Sequence, residues 1–384
     1  EIAAVCDLYE DRVAAAADFV QEKTGNRPVE TTDYREVLAV DAVEAVLVMT
    51  AWESHVPIAT AAMRAGKKVG MEVGGAYSVE DCWRLVRTYE ETGIHCMMLE
   101  NCCYGRREMM ALHMARQGVF GTIVHCAGGY MHDLRQEIGN GDTLRHYRQR
   151  NYLNRNCENY PTHELGPIMQ VLDINNGNRM VTLCSMASAS HGMREYVAAQ
   201  RGEKHPLASR DFVQGDIVTT MIKCAGGETI VLTLDTTLPR IYSRGFTVRG
   251  TKGMYAEDGD YIHMDGEKEF DTVKDKLGNA EQYAETYEHP LWIEYKKDTV
   301  GAHAGIDWLV YNAFVESVRR NIEPPIDTYD TATMMCISPL SESSVAMGGA
   351  PVGIPDFTGG KWLERTEMGV FTDSIYTLKR DRLP

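Results

Sequence analysis

The first hundred residues alternate between short apolar stretches and amphipathic helical patterns, and this alternation limits the fold more than any other feature of the chain. Apolar stretches of strand length cover residues 45–49, 68–73 and 95–100, and helical patterns cover residues 56–65 and 79–92. Strand, helix and strand in succession are typical of a parallel sheet with helical crossovers. The sequence therefore predicts a Rossmann-type α/β domain over residues 1–103.

The chain opens on a short apolar strand, residues 1–7, which ends in Asp7 and is followed by a helical pattern over residues 12–23. In a dinucleotide-binding unit, an acid at the end of the second strand holds the adenosine ribose. A glycine-rich phosphate loop belongs roughly 20 residues before that acid, and no residues precede this strand here. Either the first strand and its loop are missing from this chain, or Asp7 does not mark a nucleotide site.

Polar side chains fall where the predicted parallel strands end. Ligands bind at the carboxyl ends of the strands in such sheets. Five residues share this position, which favours a binding site over isolated turns: Thr50, His55, Glu72, Glu100 and Asn101.

From Tyr104 onward the pattern changes to strands separated by glycine turns, such as Gly226-Gly227 and the turn at residues 250–253. The strand-like stretches are residues 122–130, 180–185, 216–224, 229–235, 245–249 and 253–256. They predict an α+β domain over residues 104–384 with a large, mostly antiparallel sheet. Two helical stretches, 307–320 and 330–347, are expected to pack back toward the first domain, and Pro339 is expected to kink or split the second.

The stretch Asn156–Pro167 concentrates chemically active side chains. Pro161 suits the first position of a helix, and Asn159 is expected to cap it. Tyr160 and His163 are three residues apart and would then face the same side of the helix start. A pair of this kind can handle the protons of sugar hydroxyls, whereas the alternative is a capped core helix whose histidine binds a carbonyl. Pro167 is expected to kink or restart the helix.

Composition excludes several classes of protein. The net charge of −16 argues against nucleic acid as a partner, and no apolar run is long enough to span a bilayer. The ten cysteines show no metal-binding spacing, which together with the chain length predicts reduced thiols in the cytoplasm and no metal site. Residue 1 is not methionine, so the sequence leaves open whether a targeting segment precedes it.

The Asp7 unit, the Thr50–His55 turn and the strand ending in Met71-Glu72 resemble the Gfo/Idh/MocA oxidoreductases, which join an NAD(P)-binding domain to an antiparallel sheet. Dehydrogenases of this family carry Glu-Lys-Pro where this chain has Glu72-Val73-Gly74, so their catalytic lysine is absent. Asn159 also replaces the aspartate that they have four residues before the catalytic histidine.

In these departures the chain resembles one subgroup of the family, the NAD-dependent glycosidases of glycoside hydrolase family 109. Nearly the whole chain takes part in the resemblance, which rests on stretches such as Met98–Asn101, Gly128–Arg135, Tyr160–His163, Gly215–Thr220, Pro239–Ser243, His289–Trp292 and Gly301–Gly305. The loop over residues 141–158 differs from the pattern of these glycosidases.

The resemblance implies that NAD takes a hydride from C3 of a bound sugar, that the C2 proton is then removed and the glycosidic bond breaks by elimination, and that water addition and re-reduction follow. It implies Tyr130, His132, Tyr160 and His163 as catalytic residues, with Tyr130 or Tyr160 moving protons at the sugar and His163 assisting at the oxidised hydroxyl. The implied cofactor-binding residues are Asp7, Thr50, His55, Glu72, Glu100 and Asn101, and the implied substrate-binding residues are Arg148, Tyr242 and His303.

Arg145, Arg148 and Arg150 allow two interpretations from sequence, a solvated face or a grip on an acidic or acetamido sugar. The resemblance also implies a homo-oligomer, a dimer or a tetramer, that covers the open face of the sheet.

Two other functions stay open from sequence alone. One is a sugar or cyclitol dehydrogenase that releases its reduced cofactor, and the other is a non-catalytic protein that senses a sugar or a nucleotide. Accumulation of NADH with a free sugar would favour the dehydrogenase, whereas deuterium uptake at C2 without net NADH would favour the glycosidase.

Overall fold

The computed structural model describes residues 1–268, 271–365 and 376. Its first part alternates strands and helices, as the sequence predicts. The elements are β1 (Ala4–Cys6), α1 (Glu10–Thr24), β2 (Val29–Thr31), α2 (Tyr34–Leu38), β3 (Ala45–Val48), α3 (Trp52–Arg64), β4 (Lys68–Met71), α4 (Val79–Thr92) and β5 (Cys96–Met98).

The strands of this part are all parallel, and in the described residues they form two groups, β1 with β2 and β3 with β4 and β5. In a doubly wound sheet of strand order 3-2-1-4-5-6, the strand that carries the phosphate-binding loop lies between these two groups. The arrangement confirms the predicted Rossmann-type class. It also puts the segments after β1, β3 and β4 along one edge.

Helix α3 begins at Trp52, four positions before the predicted start at Val56, so His55 belongs to the first helical turn rather than to a loop. The buried residues of α3 include Trp52, His55, Val56 and Ala59. This spacing of three and four is the buried stripe of an amphipathic helix, and it already starts at Trp52.

The second part contains a large sheet flanked by helices. In chain order, its elements up to residue 235 are α5 (Arg106–Arg116), β6 (Ile123–Met131), α6 (Arg135–Gly139), α7 (Gly141–Leu144), α8 (Tyr147–Asn154), α9 (Thr162–Val171), β7 (Met180–Ala187), α10 (Gly192–Arg201), β8 (Ile217–Cys224) and β9 (Thr229–Asp235). The remaining elements are β10 (Thr247–Gly250), β11 (Gly253–Ala256), β12 (Tyr261–Met264), α11 (Val273–Lys276), α12 (Ala280–Tyr287), α13 (Pro290–Tyr295), α14 (Ile306–Arg320), α15 (Thr328–Met335), α16 (Ile337–Ala346) and β13 (Val352–Gly353).

Over the described residues the sheet has the strand order β12-β11-β10-β6-β9-β8-β7-β13, and the pairing is antiparallel apart from β6 with β9. Side chains alternate along β8, where Val218 and Ile222 are buried and Met221 is exposed. Such alternation is typical of a sheet with one face on the core and the other open. The predicted α+β class is therefore confirmed.

Helix α15 packs onto the edge of the first sheet. The backbone N–H groups of Cys96 and Met98 donate to the hydroxyls of Thr328 and Thr331, at 2.9 and 3.1 Å. These hydroxyls occupy hydrogen-bonding groups that an edge strand would otherwise leave open. The helical stretch is interrupted at Cys336 because Pro339 lacks the N–H that would continue the ladder.

The structure differs from the local predictions at three points in the middle of the chain. The segment over residues 141–158, interpreted as a loop, contains the short helices α7 and α8, and α6 comes directly before it. Asn159 does not cap α9, because its buried amide donates to Gln214, and Pro161 itself occupies the cap position. Helix α9 also continues through Pro167 to Val171.

In the described part of the chain, no helix combines the length and the apolar composition that crossing a membrane requires.

Candidate active site

The polar residues at the ends of β1 and β3 stabilise their own turns. The Asp7 carboxylate accepts from the backbone N–H of Tyr9 at 3.0 Å. Nε2 of His55 lies 2.9 Å from the carbonyl oxygen of Thr50. Burial lowers the pKa of His55 to about 4, so its ring is neutral and can fix this turn as a hydrogen-bond donor.

Glu72, at the end of β4, is held by a residue that the sequence analysis missed. The Tyr311 hydroxyl of α14 donates to Oε1 of Glu72 at 3.0 Å, and the backbone N–H of Val73 donates to Oε2 at 3.3 Å. Burial raises the pKa of Glu72. Tyr311 and Glu72 lie 239 positions apart in the chain, so no local sequence pattern connects them.

Glu100, at the end of β5, is fully buried and lies beneath His163 rather than alone at the strand end. Its Oε1 is 2.9 Å from Nδ1 of His163 and also accepts from the backbone N–H of Cys102 at 3.1 Å. Burial by itself would raise the pKa of Glu100, but His163 and the hydrogen bonds to the carboxylate outweigh it and lower this pKa. An ionised Glu100 therefore fixes the proton of His163 on Nδ1 and leaves Nε2 as the acceptor.

Asn101 and His303 are joined through a third residue. The Asn101 amide donates to one oxygen of Asp307 at 2.6 Å, and Nδ1 of His303 lies 2.7 Å from the other oxygen. The His303 side chain is 70% exposed. The structure therefore brings His303 close to the end of β5, with its ring toward solvent.

The four predicted catalytic residues form one cluster. Rings of Tyr130 and Tyr160 lie 4.3 Å apart, centre to centre. The Tyr130 hydroxyl is 3.0 Å from Nδ1 of His132, and the Tyr160 hydroxyl is 3.4 Å from Nε2 of His163. The site thus contains two phenol–imidazole pairs with their phenols in contact.

The first pair lies at the end of β6 and just after it, and the second lies just before α9 and in its first turn. A glycine is needed where these elements approach, because a Cβ at Gly128 would lie 2.6 Å from the side chain of Glu164. This close approach brings Tyr130, two residues after Gly128, against Tyr160, two residues before Thr162.

Burial sets the protonation of Tyr130, Tyr160 and His132. It raises the pKa of Tyr130 and of Tyr160, and it lowers the pKa of His132, with Arg148 adding to the effect on the histidine. Near neutral pH the phenols are therefore protonated and His132 is neutral. These three groups are therefore uncharged near neutral pH.

Arg148 lies against the same cluster. Its guanidinium carbon is 5.3 Å from the ring centre of Tyr160, 5.6 Å from Trp52 and 5.8 Å from Tyr147, and it pairs with Glu137. Only 12% of its side chain is exposed, so the interpretation of Arg148 as a solvated residue is wrong. Trp52 and Tyr147 are further members of the site that the sequence analysis did not identify.

Tyr242 lies at the solvent side of the cluster. Its ring centre is 5.0 Å from His132 and 6.4 Å from Tyr130, and about half of the residue is exposed. This position suits contact with a ligand that enters from solvent.

Glu100, Cys102 and His163 have ligand atoms within 4.8 Å of one another, the closeness that a metal ion needs. Burial raises the pKa of the Cys102 thiol well above its usual value, which disfavours the thiolate that binds metals. The hydrogen bond between Glu100 and His163 accounts for their closeness.

The segment Glu72-Val73-Gly74 is shaped by Trp52. The indole N–H donates to the carbonyl oxygen of Val73 at 3.1 Å. A Cβ at Gly74 would lie 2.3 Å from the indole ring, and Gly74 has φ of +146°. Proline requires φ near −65°. This backbone therefore excludes a Glu-Lys-Pro sequence in its present form.

Comparison with protein families gives a match to each part of the chain. Residues 104–364 match the family described as glycosyl hydrolase 109, C-terminal domain. Residues 1–100 match the oxidoreductase family with an NAD-binding Rossmann fold.

Among curated proteins, the chain is 37% identical to a glycosyl hydrolase family 109 protein of Parabacteroides distasonis, with 95% of this chain and 83% of that protein covered. It is 38% identical to an alpha-N-acetylgalactosaminidase of Tannerella forsythia, with 95% and 82% covered.

Solved structures share the fold at low sequence identity. An inositol dehydrogenase homolog of Azotobacter vinelandii in complex with NADH and myo-inositol has a TM-score of 0.66 and 16% identity, over 92% of this chain and 89% of that chain. A levoglucosan dehydrogenase in complex with NADH has a TM-score of 0.64 and 16% identity, over 92% and 90%.

Proposed function

The chain belongs to glycosyl hydrolase family 109, an enzyme family with a Gfo/Idh/MocA oxidoreductase domain, and from this premise we propose that it is an NAD-dependent glycosidase. It cleaves the glycosidic bond by transient oxidation of the sugar at C3, deprotonation at C2 and elimination, followed by addition of water and re-reduction. The observation that carries the proposal is the pair of phenol–imidazole units in contact, one of them backed by a buried carboxylate.

His163 is the base for the C3 hydroxyl. Because Glu100 holds the proton on Nδ1, the lone pair of Nε2 points toward the Tyr160 hydroxyl and the space beside it. An imidazole in this state can accept a hydroxyl proton, and the buried carboxylate lies beside the imidazolium that results. The Tyr160 hydroxyl relays the proton from the sugar oxygen to Nε2 of His163 during oxidation and in the reverse direction during reduction.

Tyr130 is the base for the C2 proton. Its hydroxyl proton can pass to Nδ1 of His132, 3.0 Å away, which leaves a phenolate beside an imidazolium. Although burial opposes it, the positive charge of Arg148 favours this phenolate. Oxidation at C3 acidifies the C2 proton, so a base of this strength is sufficient. The same pair then returns a proton during the addition of water.

The residues at the carboxyl edge fit a dinucleotide. Asp7 follows β1 where an acid holds the adenosine ribose, which favours NAD over NADP. Thr50, His55, Glu72 and Asn101 line the same edge toward the catalytic cluster. When bound there, the nicotinamide supplies the hydride acceptor and later the hydride donor for C3.

The substrate is a neutral or acetamido sugar, with alpha-N-acetylgalactosaminides as the first candidates because a relative has that name. Arg148 offers hydrogen bonds, but Glu137 balances its charge, which disfavours an anionic sugar. Tyr242 stacks on the sugar at the entrance, and His303 contacts it from the exposed segment after α13.

The open sheet face supports self-association into a dimer or tetramer. Large apolar side chains on or beside it are solvent-exposed, including Met186 at 67% and Met221 at 51%. Apolar patches of this kind favour burial against another protein surface.

A dehydrogenase with net cofactor turnover is the second candidate, and the fold of the polyol and sugar dehydrogenase structures favours it. Val73 and Gly74 argue against it, because the lysine that dehydrogenases of this family use is absent and the Trp52 contact leaves no room for the following proline.

Hydrolysis of an aryl alpha-N-acetylgalactosaminide in deuterated water tests the proposal. We expect release of the aryl group, deuterium at C2 of the sugar product, and no net NADH, because the hydride returns to the sugar. Free N-acetylgalactosamine incubated with NAD in the same solvent controls for exchange after cleavage. Cleavage with hydrogen retained at C2, or accumulation of NADH with turnover, would contradict the proposal.

A further inference from the structure

The segment 141–155, here named the arginine strap, belongs to the second domain and contacts the first domain along the carboxyl ends of its parallel strands. It comprises α7, α8 and the residues up to Arg155, and four arginines lie along it: Arg145, Arg148, Arg150 and Arg155. Each of them pairs with an acid. Asp142 and Gln149 anchor the strap to its own domain through Arg201 and the Ile138 carbonyl.

The first contact lies beside the end of β1. Arg145 binds both carboxylate oxygens of Asp11, at 3.0 and 2.7 Å, and its guanidinium carbon is 4.1 Å from the ring centre of Tyr9. Arg12 donates to the carbonyl oxygen of Leu144 at 3.0 Å. Arg145 itself has φ of +53°, in the left-handed region that non-glycine residues rarely adopt.

The second contact lies at the end of β3. The rings of Tyr147 and Trp52 meet edge to face with centres 4.9 Å apart. Arg150 forms an ion pair with Glu53 in the first turn of α3, with Nε 2.7 Å from Oε1. An aromatic contact and an ion pair therefore connect the strap to adjacent residues of the first domain.

The third contact follows β4. Arg155 donates to the carbonyl oxygen of Ala76 at 3.2 Å, and its guanidinium carbon is 4.6 Å from the ring centre of Tyr77. Its other partner is Glu342 of α16. This third contact ties the end of the strap to both domains.

All three contacts fall on segments that directly follow the parallel strands β1, β3 and β4. Dinucleotides bind along this carboxyl edge in doubly wound sheets. The strap thus extends from beside Asp7, where the adenosine ribose belongs, to Trp52, which packs against Tyr160 of the catalytic cluster. It crosses the same edge that the cofactor would occupy.

We propose that the arginine strap closes over the bound dinucleotide and retains it through successive turnovers, with Arg145 and Arg150 as the residues that determine retention. This rests on the proposed function, since a glycosidase that returns the hydride never needs to exchange its cofactor. A dehydrogenase with net turnover must release NADH each cycle, and a closed strap would slow that release. Arg145 and Arg150 are exposed, as a solvated face predicts, but both form ion pairs with acids of the first domain, which a solvated face by itself does not require.

Dissociation of NADH tests the strap without reference to glycoside cleavage. The protein is loaded with NADH and chased with excess NAD, and the loss of bound nicotinamide fluorescence gives the rate of release. The double variant Arg145→Ala, Arg150→Ala is expected to release NADH about tenfold faster, since two ion pairs and a cation–π contact are lost. High salt is expected to accelerate release from the wild type, because exposed ion pairs are screened.

Arg194→Ala is the matched control, because Arg194 pairs with Asp211 within the second domain at 3.3 Å and is similarly exposed. Its NADH release is expected to match the wild type. The charge swap Asp11→Arg with Arg145→Asp is expected to slow release relative to Arg145→Asp alone. Such a rescue would not follow from a general loss of structure.

Equal rates of NADH release in the double variant, the control and the wild type would contradict the proposal that the arginine strap retains the dinucleotide. The deuterium experiment could still support the glycosidase in that case. Conversely, slow release that depends on Arg145 and Arg150, combined with hydrogen retained at C2, would support the strap and contradict the proposed reaction.

Discussion

The two phenol–imidazole pairs look alike in sequence but differ in what lies behind the imidazole. His163 contacts Glu100, a fully buried carboxylate whose pKa is lowered by that contact. His132 has no such contact among the described residues, and burial together with Arg148 lowers its own pKa. Tyr130 and Tyr160 complete the two pairs with similar ring burial.

This difference separates two chemical roles. An imidazole whose Nδ1–H is held by an ionised carboxylate presents the lone pair of Nε2 as a proton acceptor. An imidazole beside an arginine is neutral at rest and is charged only while it holds the proton of its phenol. The same two residue types thus supply a base at His163 and, at His132, a transient acceptor for the Tyr130 proton.

Replacing Glu100 by Gln should have the largest effect on activity. The variant keeps the size of the side chain but removes the charge that fixes the proton on Nδ1 of His163. We expect kcat to fall by about 10²–10⁴-fold, the range that general acid–base groups contribute, with KM changed by less than about threefold. Steady-state kinetics on an aryl glycoside measure both constants.

Glu158→Gln is the matched control for this variant, since Glu158 is as deeply buried as Glu100 and lies two residues before Tyr160. If Glu100→Gln retained more than about a third of the wild-type kcat, with Glu158→Gln equal to wild type, the carboxylate would not polarise His163.

The pairs themselves could be predicted from sequence, because the two members of each pair are only two or three positions apart. Tyr130 and His132 are two apart on or beside a strand, and Tyr160 and His163 are three apart at a helix start. The family resemblance then supplied their function.

The groups that distinguish the pairs could not be predicted from local sequence. Glu100 is 63 positions from His163, and Tyr311 is 239 positions from Glu72, so only the fold brings them together. The short helices of the arginine strap were missed for a related reason. Their polar sequence is typical of a loop, and ion pairs to the first domain, such as Arg145 with Asp11, help to hold them in place.

Replacing Tyr130 by Phe should have a smaller effect than the change at Glu100. The ring contact with Tyr160 would remain, whereas the hydroxyl that reaches Nδ1 of His132 would be lost. We expect kcat to fall by on the order of 10- to 10²-fold, because the ketone at C3 already acidifies the C2 proton and lessens the demand on the base. The rate of deuterium uptake at C2 should fall by the same factor as kcat.

The control is Tyr255→Phe in β11, which lies two strands away from β6 in the sheet. This change removes a buried hydroxyl that contacts Asp260 and should leave kcat unchanged. A Tyr130→Phe variant as slow as Glu100→Gln would reverse the ranking of the two pairs and assign the harder proton transfer to Tyr130.

Glu158→Gln should have the smallest effect on turnover and a distinct effect on stability. Burial raises the pKa of Glu158 to about 8, although the backbone N–H of Tyr160 opposes part of this shift. The folded protein therefore holds a proton that the unfolded chain, with a glutamate pKa of about 4.3, has already released at neutral pH.

The sign of the pH dependence follows from this proton. Between about pH 4 and pH 8 the folded state binds more protons at this site, so its contribution to the free energy of unfolding falls as pH rises, by up to about 5 kcal/mol. Glutamine carries no such proton, and the stability difference between Glu158→Gln and wild type should shift in favour of the variant from pH 5 to pH 8.5. Urea unfolding at both pH values measures it. Because Glu100 has a lowered pKa, Glu100→Gln should show no shift in this direction, and a pH-independent difference for Glu158→Gln would mean that Glu158 is already ionised in the folded protein.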